Sequence, residues 1–206
     1  MHWYANRLTV EITSSRTRRD DVDFRIDWFD ATVLGPEVGS VDASQLDIRS
    51  AAQADRDAIW NIFHDIVALG DTYAFDPGMS REEALAYWFG ADTHTYVAED
   101  DGCVVGTYIL RANQAGPGAH VANAAYMVAK DARGSGVGRK MAEHSLSEAR
   151  RLGFRAMQFN FVVSTNTSAI HLWQQLGFKI AGTLPGAFRH PQAGYVDVYV
   201  MFRSLL

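Results

Sequence analysis

The sequence lacks the features that would place the chain in a membrane, in an oxidising compartment or on nucleic acid. Its 206 residues include one cysteine, Cys103, so no internal disulfide can form. No apolar run approaches the roughly 20 residues that span a bilayer, and residues 1–20 contain no signal-peptide apolar region. The formal net charge of −5 provides no broad basic surface for nucleic acid. We therefore predict a soluble, cytoplasmic protein with neither a nucleic-acid nor a membrane partner.

The length suits one domain with a sizeable core rather than two. Residues 1–45 differ from the remainder, because they combine a dense charge run at 16–23 with breakers at Gly35-Pro36 and Gly39-Ser40. They are predicted to be an N-terminal extension that packs on the domain, supports a homodimer or is poorly ordered. Residues 46–206 are predicted to be the domain. The histidines show no metal-ligand spacing, so no metal site is predicted.

From residue 46 the apolar pattern predicts a strand, two helices, three strands, a helix, a strand, a helix and two strands. Capping boxes at Ser50–Gln53 and Ser80–Glu83 are expected to begin the first two helices. Asp100–Gly102 is typical of a hairpin turn, and Asn166 is typical of a helix cap. This order predicts an α/β fold, a mixed sheet with helices on both faces.

The most informative segment is the glycine-rich loop from Arg133 to Lys140. It follows the strand-like run 121–129 and leads into the helix-like run 141–151. Glycines at alternate positions keep side chains away, so that backbone N–H groups can converge on one point, and the helix adds its positive dipole end. The loop therefore predicts a site for a phosphate or a pyrophosphate.

Two nucleotide-binding motifs do not fit this loop. A P-loop requires Lys and then Ser or Thr after its last glycine, whereas Gly138 is followed by Arg139. A dinucleotide fingerprint requires a third glycine at position 139 and an acid near the end of the next strand, where Gln158 and Asn160 stand instead.

The spacing of Arg133, Gly136 and Gly138 resembles the coenzyme A loop of the GNAT acetyltransferase superfamily. The segment Asn166–Phe178 resembles the second element of that family, with Asn, Ala, Leu-Trp and Gly-Phe at the expected spacings. The resemblance covers about residues 46–206. It implies a GNAT-like mixed, largely antiparallel twisted sheet flanked by helices on both faces, and an N-acetyltransferase that takes acetyl-CoA as its acetyl donor.

The resemblance also implies where the donor binds. The amides of residues 134–139 would hold the pyrophosphate, and the strand ending at Met127 and Val128 would diverge from its neighbour and pair with pantetheine. The N–H of Val128 would hold the thioester oxygen as negative charge develops. The implied donor-binding residues are Met127, Val128, Arg133, Gly134, Ser135, Gly136, Val137, Gly138, Arg139, Asn166 and Trp173.

The chain departs from the family pattern in its proton-handling groups. Trp173 stands where the family often has a tyrosine, and an indole N–H is too weak an acid to protonate a thiolate. Tyr126 and Tyr199 are candidate replacements; alternatively, the thiolate leaves without help from the protein. The strand 121–129 contains no Asp or Glu, so the acceptor amine must lose its proton through water near Asn123 or arrive neutral.

A narrower resemblance indicates the acceptor. Trp173 and the pieces around Trp88, Asn123 and Asn160 resemble fungal acetyltransferases of azetidine-2-carboxylate and other proline analogues, in which matching asparagines lie in the acceptor pocket. The pieces Thr72–Phe75 and Gly182–Gly186 resemble phosphinothricin-type acetyltransferases. The predicted acceptor is therefore a small amino acid or imino acid, with Asn123, Asn160 and Trp88 as substrate contacts.

Several alternatives stay open at this stage. The chain could acetylate a protein α-amine or lysine, or bind acetyl-CoA as a sensor without catalysis. Cys103 could be a nucleophile, although a buried small hydrophobe is expected, and His120 could be a base, although a surface position is expected. Asn160 could be an interior amide bonded to its neighbours, and Trp88 could be part of the core.

Overall fold

The computed structural model describes residues 45–206, which form a seven-stranded sheet covered by four helices. The predicted extension, apart from residue 45, lies outside the described residues. In chain order the elements are β1 (Asp47–Ser50), α1 (Arg56–Val67), α2 (Arg81–Trp88), β2 (His94–Asp100), β3 (Cys103–Ala112), β4 (Val121–Val128), α3 (Val137–Arg151), β5 (Ala156–Val163), α4 (Thr167–Gln175), β6 (Lys179–His190) and β7 (Gly194–Ser204).

The strands lie in the order β1-β2-β3-β4-β5-β7-β6, and β4 with β5 is the parallel pair among otherwise antiparallel neighbours. The predicted order of elements and the mixed, largely antiparallel sheet are confirmed. The hairpin turn is confirmed as well, since Asp101 and Gly102 adopt φ angles of 45° and 78° between β2 and β3.

One capping prediction is confirmed and one is wrong. Ser80 Oγ accepts from the N–H of Glu83, and the Glu83 carboxylate accepts from the N–H of Ser80 at 3.0 Å. Ser50, by contrast, is the last residue of β1 and caps nothing. The first helix begins later, at Arg56, after a 3-10 turn (Gln53–Asp55) in which the Asp55 carboxylate accepts from the N–H of Ala52 at 2.6 Å.

Helices α1 and α2 cover one face of the sheet, and α3 and α4 cover the other. Helix α3 lies close to β3, because a Cβ at Gly106 would come within 2.9 Å of Met141 and 3.1 Å of Val137. This close approach brings the start of α3, and with it the glycine-rich loop, to the end of β4.

Three tyrosines on neighbouring strands fix α3 against the sheet. The rings of Tyr96, Tyr108 and Tyr126 stack side by side, with centroids 4.7 and 5.5 Å apart. Their hydroxyls bond residues of α3, which are Glu148, His144 and Ser145 in the same order, at 2.9, 2.6 and 2.7 Å. The position of the helix therefore depends on partly buried polar contacts as well as on apolar packing.

Strands β4 and β5 pair only at their beginnings, through Val121 with Ala156 and Ala122 with Met157. Beyond these residues the two strands diverge, and β5 also carries an irregularity between Phe159 and Val162 where it pairs with β7. A gap therefore opens in the middle of the sheet.

Two further observations concern the described residues. Cys103 is exposed at the start of β3, so the expectation that it is buried is wrong. None of the helices between residues 45 and 206 has the length and apolar character needed to cross a bilayer.

Candidate functional site

A cleft of about 660 Å³ occupies the gap between β4 and β5. It extends from the glycine-rich loop and the start of α4 to the segment 72–75, and its far end includes Tyr87 and Arg111. Twelve of the residues predicted from the sequence line it: Asn123, Tyr126, Met127, Val128, Arg133, Gly134, Gly136, Gly138, Arg139, Asn160, Asn166 and Trp173. The structure thus brings most of the predicted residues together in one place.

Backbone groups of β4 face this gap. The N–H of Ala129 donates to Val105 of β3 at 2.9 Å, and alternate residues of an antiparallel strand bond to the same neighbour. The N–H and C=O groups of Tyr126 and Val128 therefore point away from β3 and into the gap. The hydroxyl of Tyr73 donates to the C=O of Tyr126. The N–H groups of Tyr126 and Val128 lie where an added strand-like ligand would pair with β4.

The glycine-rich loop has the backbone shape of an anion cradle. Gly134 and Gly136 adopt φ angles of 83° and 94°, which side-chain-bearing residues rarely take, and a Cβ at Gly134 would meet open space. Gly136 is the residue that precedes the first turn of α3, so free N–H groups of that turn point toward the cleft. This arrangement suits the pyrophosphate of coenzyme A.

Two loop side chains stabilise the loop and do not line the cleft. Ser135 Oγ donates to the C=O of Ala132 at 2.7 Å, and Val137 is 1% exposed within the core. Any contact of these residues with the donor would therefore be made by their backbone N–H groups.

Polar side chains surround the loop end of the cleft. Arg133 is exposed beside the loop, and Arg139 is held by Gln175 at the end of α4. Asn166 caps α4, because its Oδ1 accepts from the N–H of Ala169 at 3.2 Å.

Trp173 is 8% exposed and packs against Phe159 with ring centroids 4.6 Å apart, so it forms an apolar wall of the cleft.

Asn123 lies at the point where the two strands diverge. Its Nδ2 donates to the backbone C=O of Gln158 at 2.8 Å, which fixes the orientation of the side-chain amide. Among the described residues no donor reaches Asn123 Oδ1, so this oxygen can accept from a ligand or from water. The prediction that Asn123 belongs to the site agrees with this position on the cleft wall.

Asn160 is part of a chain of amides on β5 and the loop after β3. Gln158 Nε2 donates to Asn160 Oδ1 at 2.8 Å, and Asn160 Nδ2 donates to Asn113 Oδ1 at 2.6 Å. Asn160 is bonded to its neighbours but is exposed and lines the cleft, so the alternative of an interior amide is wrong, and its contact with the substrate stays a prediction.

The structure places Trp88 outside the cleft. Its side chain is fully buried between α2 and the sheet, and Nε1 donates to Thr107 Oγ1 at 2.9 Å. Thr107 in turn donates to the C=O of Tyr96 at 2.8 Å. Trp88 therefore supports the core beneath the site, and the prediction that it contacts the acceptor is withdrawn.

Neither tyrosine proposed as a proton donor is suited to that role. Ser145 Oγ donates to Ala142 at 2.7 Å, so the Tyr126 hydroxyl must donate to Ser145, and burial raises the Tyr126 pKa. Tyr199 lies on β7 and does not line the cleft.

His120, the candidate base, is exposed beside Pro117 and is not among the lining residues either.

Sequence reasoning missed two residues at the far end of the cleft, which are Tyr87 and Arg111. Tyr73, in the segment Thr72–Phe75 that the sequence singled out, is half-buried, and this burial raises its pKa. Arg111 Nη2 donates to the Tyr87 hydroxyl at 2.7 Å, and its guanidinium lies 4.5 Å from the centroid of the Tyr87 ring. The available signal was the charge of Arg111 at the end of an apolar strand.

The charge of the cleft has one sign. The described lining residues include Arg111, Arg133 and Arg139 but no Asp, Glu, His or Lys. This surface favours anionic ligands. It also leaves the cleft without a described side chain that titrates near neutral pH and could act as a general base.

Comparisons with known proteins agree with this geometry. The model of the Acetyltransferase (GNAT) family matches residues 59–178. The chain is 31% identical over 151 residues to the N-acetyltransferase aca1 of Schizosaccharomyces pombe, covering 65% of this chain and 72% of that protein. It is 30% identical over 145 residues to the L-amino acid N-acyltransferase MnaT of Escherichia coli, covering 68% of this chain and 83% of that protein.

Solved structures show the same fold. A GCN5-related N-acetyltransferase from Kribbella flavida is 49% identical, with a TM-score of 0.75 over 78% of this chain and 98% of that chain. The yncA protein of Salmonella typhimurium, solved with acetyl-CoA, is 25% identical, with a TM-score of 0.70 over 78% of this chain and 94% of that chain.

Proposed function

The chain belongs to the GNAT acetyltransferase family, and we propose that it transfers acetyl from acetyl-CoA directly to the amino group of a small amino acid or imino acid. The observation that carries the acceptor assignment is the far end of the cleft, where amides and a single arginine surround a space without any described carboxylate. The name of MnaT, an L-amino acid N-acyltransferase, supports the same substrate class.

The glycine-rich loop and β4 would hold the donor. The amides of residues 134–139 would bind the pyrophosphate, with Arg133 and Arg139 adding charge and Asn166 contacting the pantetheine arm. Met127 and Val128 lie on the strand that pantetheine would pair with, and Trp173 would pack against the same arm. A gap-facing N–H of β4, at Val128 or Tyr126, would hold the thioester oxygen as it gains negative charge.

The acceptor would enter from the side of Asn123. The neutral amine of the acceptor attacks the thioester carbonyl, the N–C bond forms, and the C–S bond breaks as the thiolate leaves. Asn123 Oδ1, oriented by the bond to Gln158, accepts from the amine or from a water that removes its proton. Catalysis then comes mainly from holding the two reactants together and from the oxyanion-binding N–H.

Protonation of the leaving thiolate needs no side chain in this scheme. Burial raises the pKa of the hydroxyls of both Tyr126 and Tyr73, and each hydroxyl is already used in a hydrogen bond. A thiol is a much stronger acid than water, so the thiolate can leave unprotonated and take its proton from solvent.

Other features of the chain remain predictions from the sequence. We propose that residues 46–206 form the acetyltransferase domain and that residues 1–45 form an extension. We also propose that the protein acts in the cytoplasm and forms a homodimer, which the extension would support.

A thiol-release screen tests the proposed function. Purified protein with acetyl-CoA is offered amino acids, proline analogues, glutamate analogues, and peptides with free α-amines or lysines. We expect thiol release with a subset of the small amino or imino acids and the N-acetyl product by mass spectrometry. Release with peptides alone would replace this function by peptide acetylation, and acetyl-CoA binding without release would indicate a sensor.

A further inference from the structure

We propose that Arg111 binds the carboxylate of the acceptor and that the enzyme therefore requires a free carboxylate close to the reacting amine. This inference rests on the proposed function and adds a specificity determinant to it. It assigns the far end of the cleft to one chemical group and one side chain.

Arg111 is held in a fixed orientation on the cleft wall. It is the penultimate residue of β3, with Nη2 donating to the Tyr87 hydroxyl at 2.7 Å and the guanidinium lying over the Tyr87 ring. Stacking on an aromatic ring and a single hydrogen bond leave most of the five guanidinium donors available. A planar guanidinium with free donors matches a carboxylate in shape and charge.

Arg111 has no acidic partner in the described chain, unlike Arg49, Arg81, Arg139 and Arg151. Arg49 bonds both Asp55 and Glu99, at 2.7 and 2.6 Å, and Arg151 bonds Glu148 at 2.7 Å. Between residues 45 and 206 no carboxylate lies within 4.0 Å of the Arg111 guanidinium. A half-buried cation without a described counter-charge is expected to favour an anionic ligand.

The position of Arg111 relative to Asn123 fits an α-amino acid. The two residues pair directly across β3 and β4, so their side chains leave the same face of the sheet. Cβ atoms of such pairs are about 5 Å apart. The amine and the carboxylate of an α-amino acid are joined through one carbon, so one molecule can reach both side chains.

The remaining cleft arginines serve the opposite end. Arg133 and Arg139 flank the glycine-rich loop and are exposed, whereas Arg111 lies among the acceptor-side residues Tyr87 and Asn123. Among the described residues of the cleft, Arg111 is therefore the cation available to the acceptor. An amine in a peptide, whose neighbouring carboxyl group is an amide, would leave this cation without a partner.

The test compares an accepted amino acid with its carboxamide, each at a pH above its amine pKa. A hydrogen-bonded charge pair contributes about 1.5–3 kcal/mol, so wild-type kcat/KM should be about 10- to 150-fold higher for the acid. Arg111→Gln should raise the KM of the acid by at least about tenfold and leave the KM values of the carboxamide and of acetyl-CoA unchanged. Arg155→Gln, at an exposed position outside the cleft, is the matched control and should change none of them.

Each outcome decides the matter. Equal use of acid and carboxamide by the wild type would overturn the role of Arg111 while leaving an acetyltransferase of small amines. An equal rise of KM for both acceptors in Arg111→Gln would show that the residue has only a structural role. If Arg111→Gln does not fold, the wild-type comparison of acid with carboxamide and the variant Tyr87→Phe test the role of Arg111. Tyr87→Phe is expected to raise the KM of the acid alone by a few-fold. Absence of thiol release with every amino and imino acid would instead reject the proposed function.

Discussion

The side-chain nitrogen of Asn123 donates to the backbone oxygen of Gln158 at 2.8 Å, at the point where β4 and β5 stop pairing. The bond takes up a carbonyl group that the diverging strands leave without a ladder partner, and it directs Asn123 Oδ1 away from Gln158. One residue thus marks the beginning of the gap and presents an acceptor oxygen beside it.

Asn123→Ala should lower kcat, because the amine would lose the group that orients it or its water. A loss on the order of 10- to 100-fold is expected, at the low end of proton-transfer effects. Gln158→Ala is the control, since the bond uses the backbone of Gln158, and it should keep kcat close to wild type. Steady-state kinetics with a saturating acceptor give the comparison; equal kcat for wild type and Asn123→Ala would remove this residue from the mechanism.

Asn160→Ala should raise the KM of the acceptor more than the KM of acetyl-CoA. The substitution breaks the amide chain from Gln158 to Asn113 on the acceptor side and leaves the glycine-rich loop intact. Initial rates with each substrate varied in turn measure the two constants. Equal increases would indicate that the loss of Asn160 disturbs the whole cleft.

Gly136→Asp should abolish acetyl-CoA binding. The change places a negative charge in the anion cradle and a side chain at a φ of 94°. Gly153→Asp is a matched control, because Gly153 has a φ of 86° with open space around it and lies beyond the other end of α3. Calorimetry with acetyl-CoA should show binding to the control variant alone, whereas unchanged affinity of Gly136→Asp would remove the loop from the donor site.

Trp88→Phe should destabilise the protein without changing the KM of the acceptor. The substitution removes the donor to Thr107 and leaves a small cavity, at a cost of about 2 kcal/mol. Urea unfolding measures the loss, and kinetics at a temperature where the variant is folded measure KM. A selective rise in the acceptor KM at unchanged stability would restore Trp88 as a substrate contact.

The pH dependence of kcat/KM should follow the acceptor and not the protein. No described lining residue is an Asp, Glu, His or Lys, so the amine itself must lose its proton before attack. The rate should rise with pH and level off above the pKa of the amine. Two acceptors with different amine pKa values should give profiles displaced by the same difference, and coincident profiles would reveal a general base in the protein.

The sequence predicted the element order and the glycine-rich loop, because apolar periodicity and turn residues act locally. It missed Arg111 and Tyr87, since their contact joins β3 to α2 and is visible only when both are packed. It assigned Trp88 to the acceptor because an aromatic residue near a site has the same sequence signal whether it lines the cleft or the core. It offered Tyr126 as an acid because nothing local shows that its hydroxyl is bonded to Ser145.

The start of α1 shows the same limit on a smaller scale. Ser50–Gln53 fits a capping box, but pairing of β1 with β2 extends to Ser50, and Asp55 takes the capping role through Ala52. Tertiary pairing thus decided between two nearby polar residues, Ser50 and Asp55, that the sequence treats alike.

A crystal structure of the protein with coenzyme A and the N-acetylated form of an accepted amino acid is the most direct test of the account. We expect the pyrophosphate on the amides of residues 134–139, pantetheine along β4, and the product between Asn123 and Arg111 with its carboxylate on the guanidinium. Coenzyme A bound elsewhere, or a product whose carboxylate points away from Arg111, would contradict it.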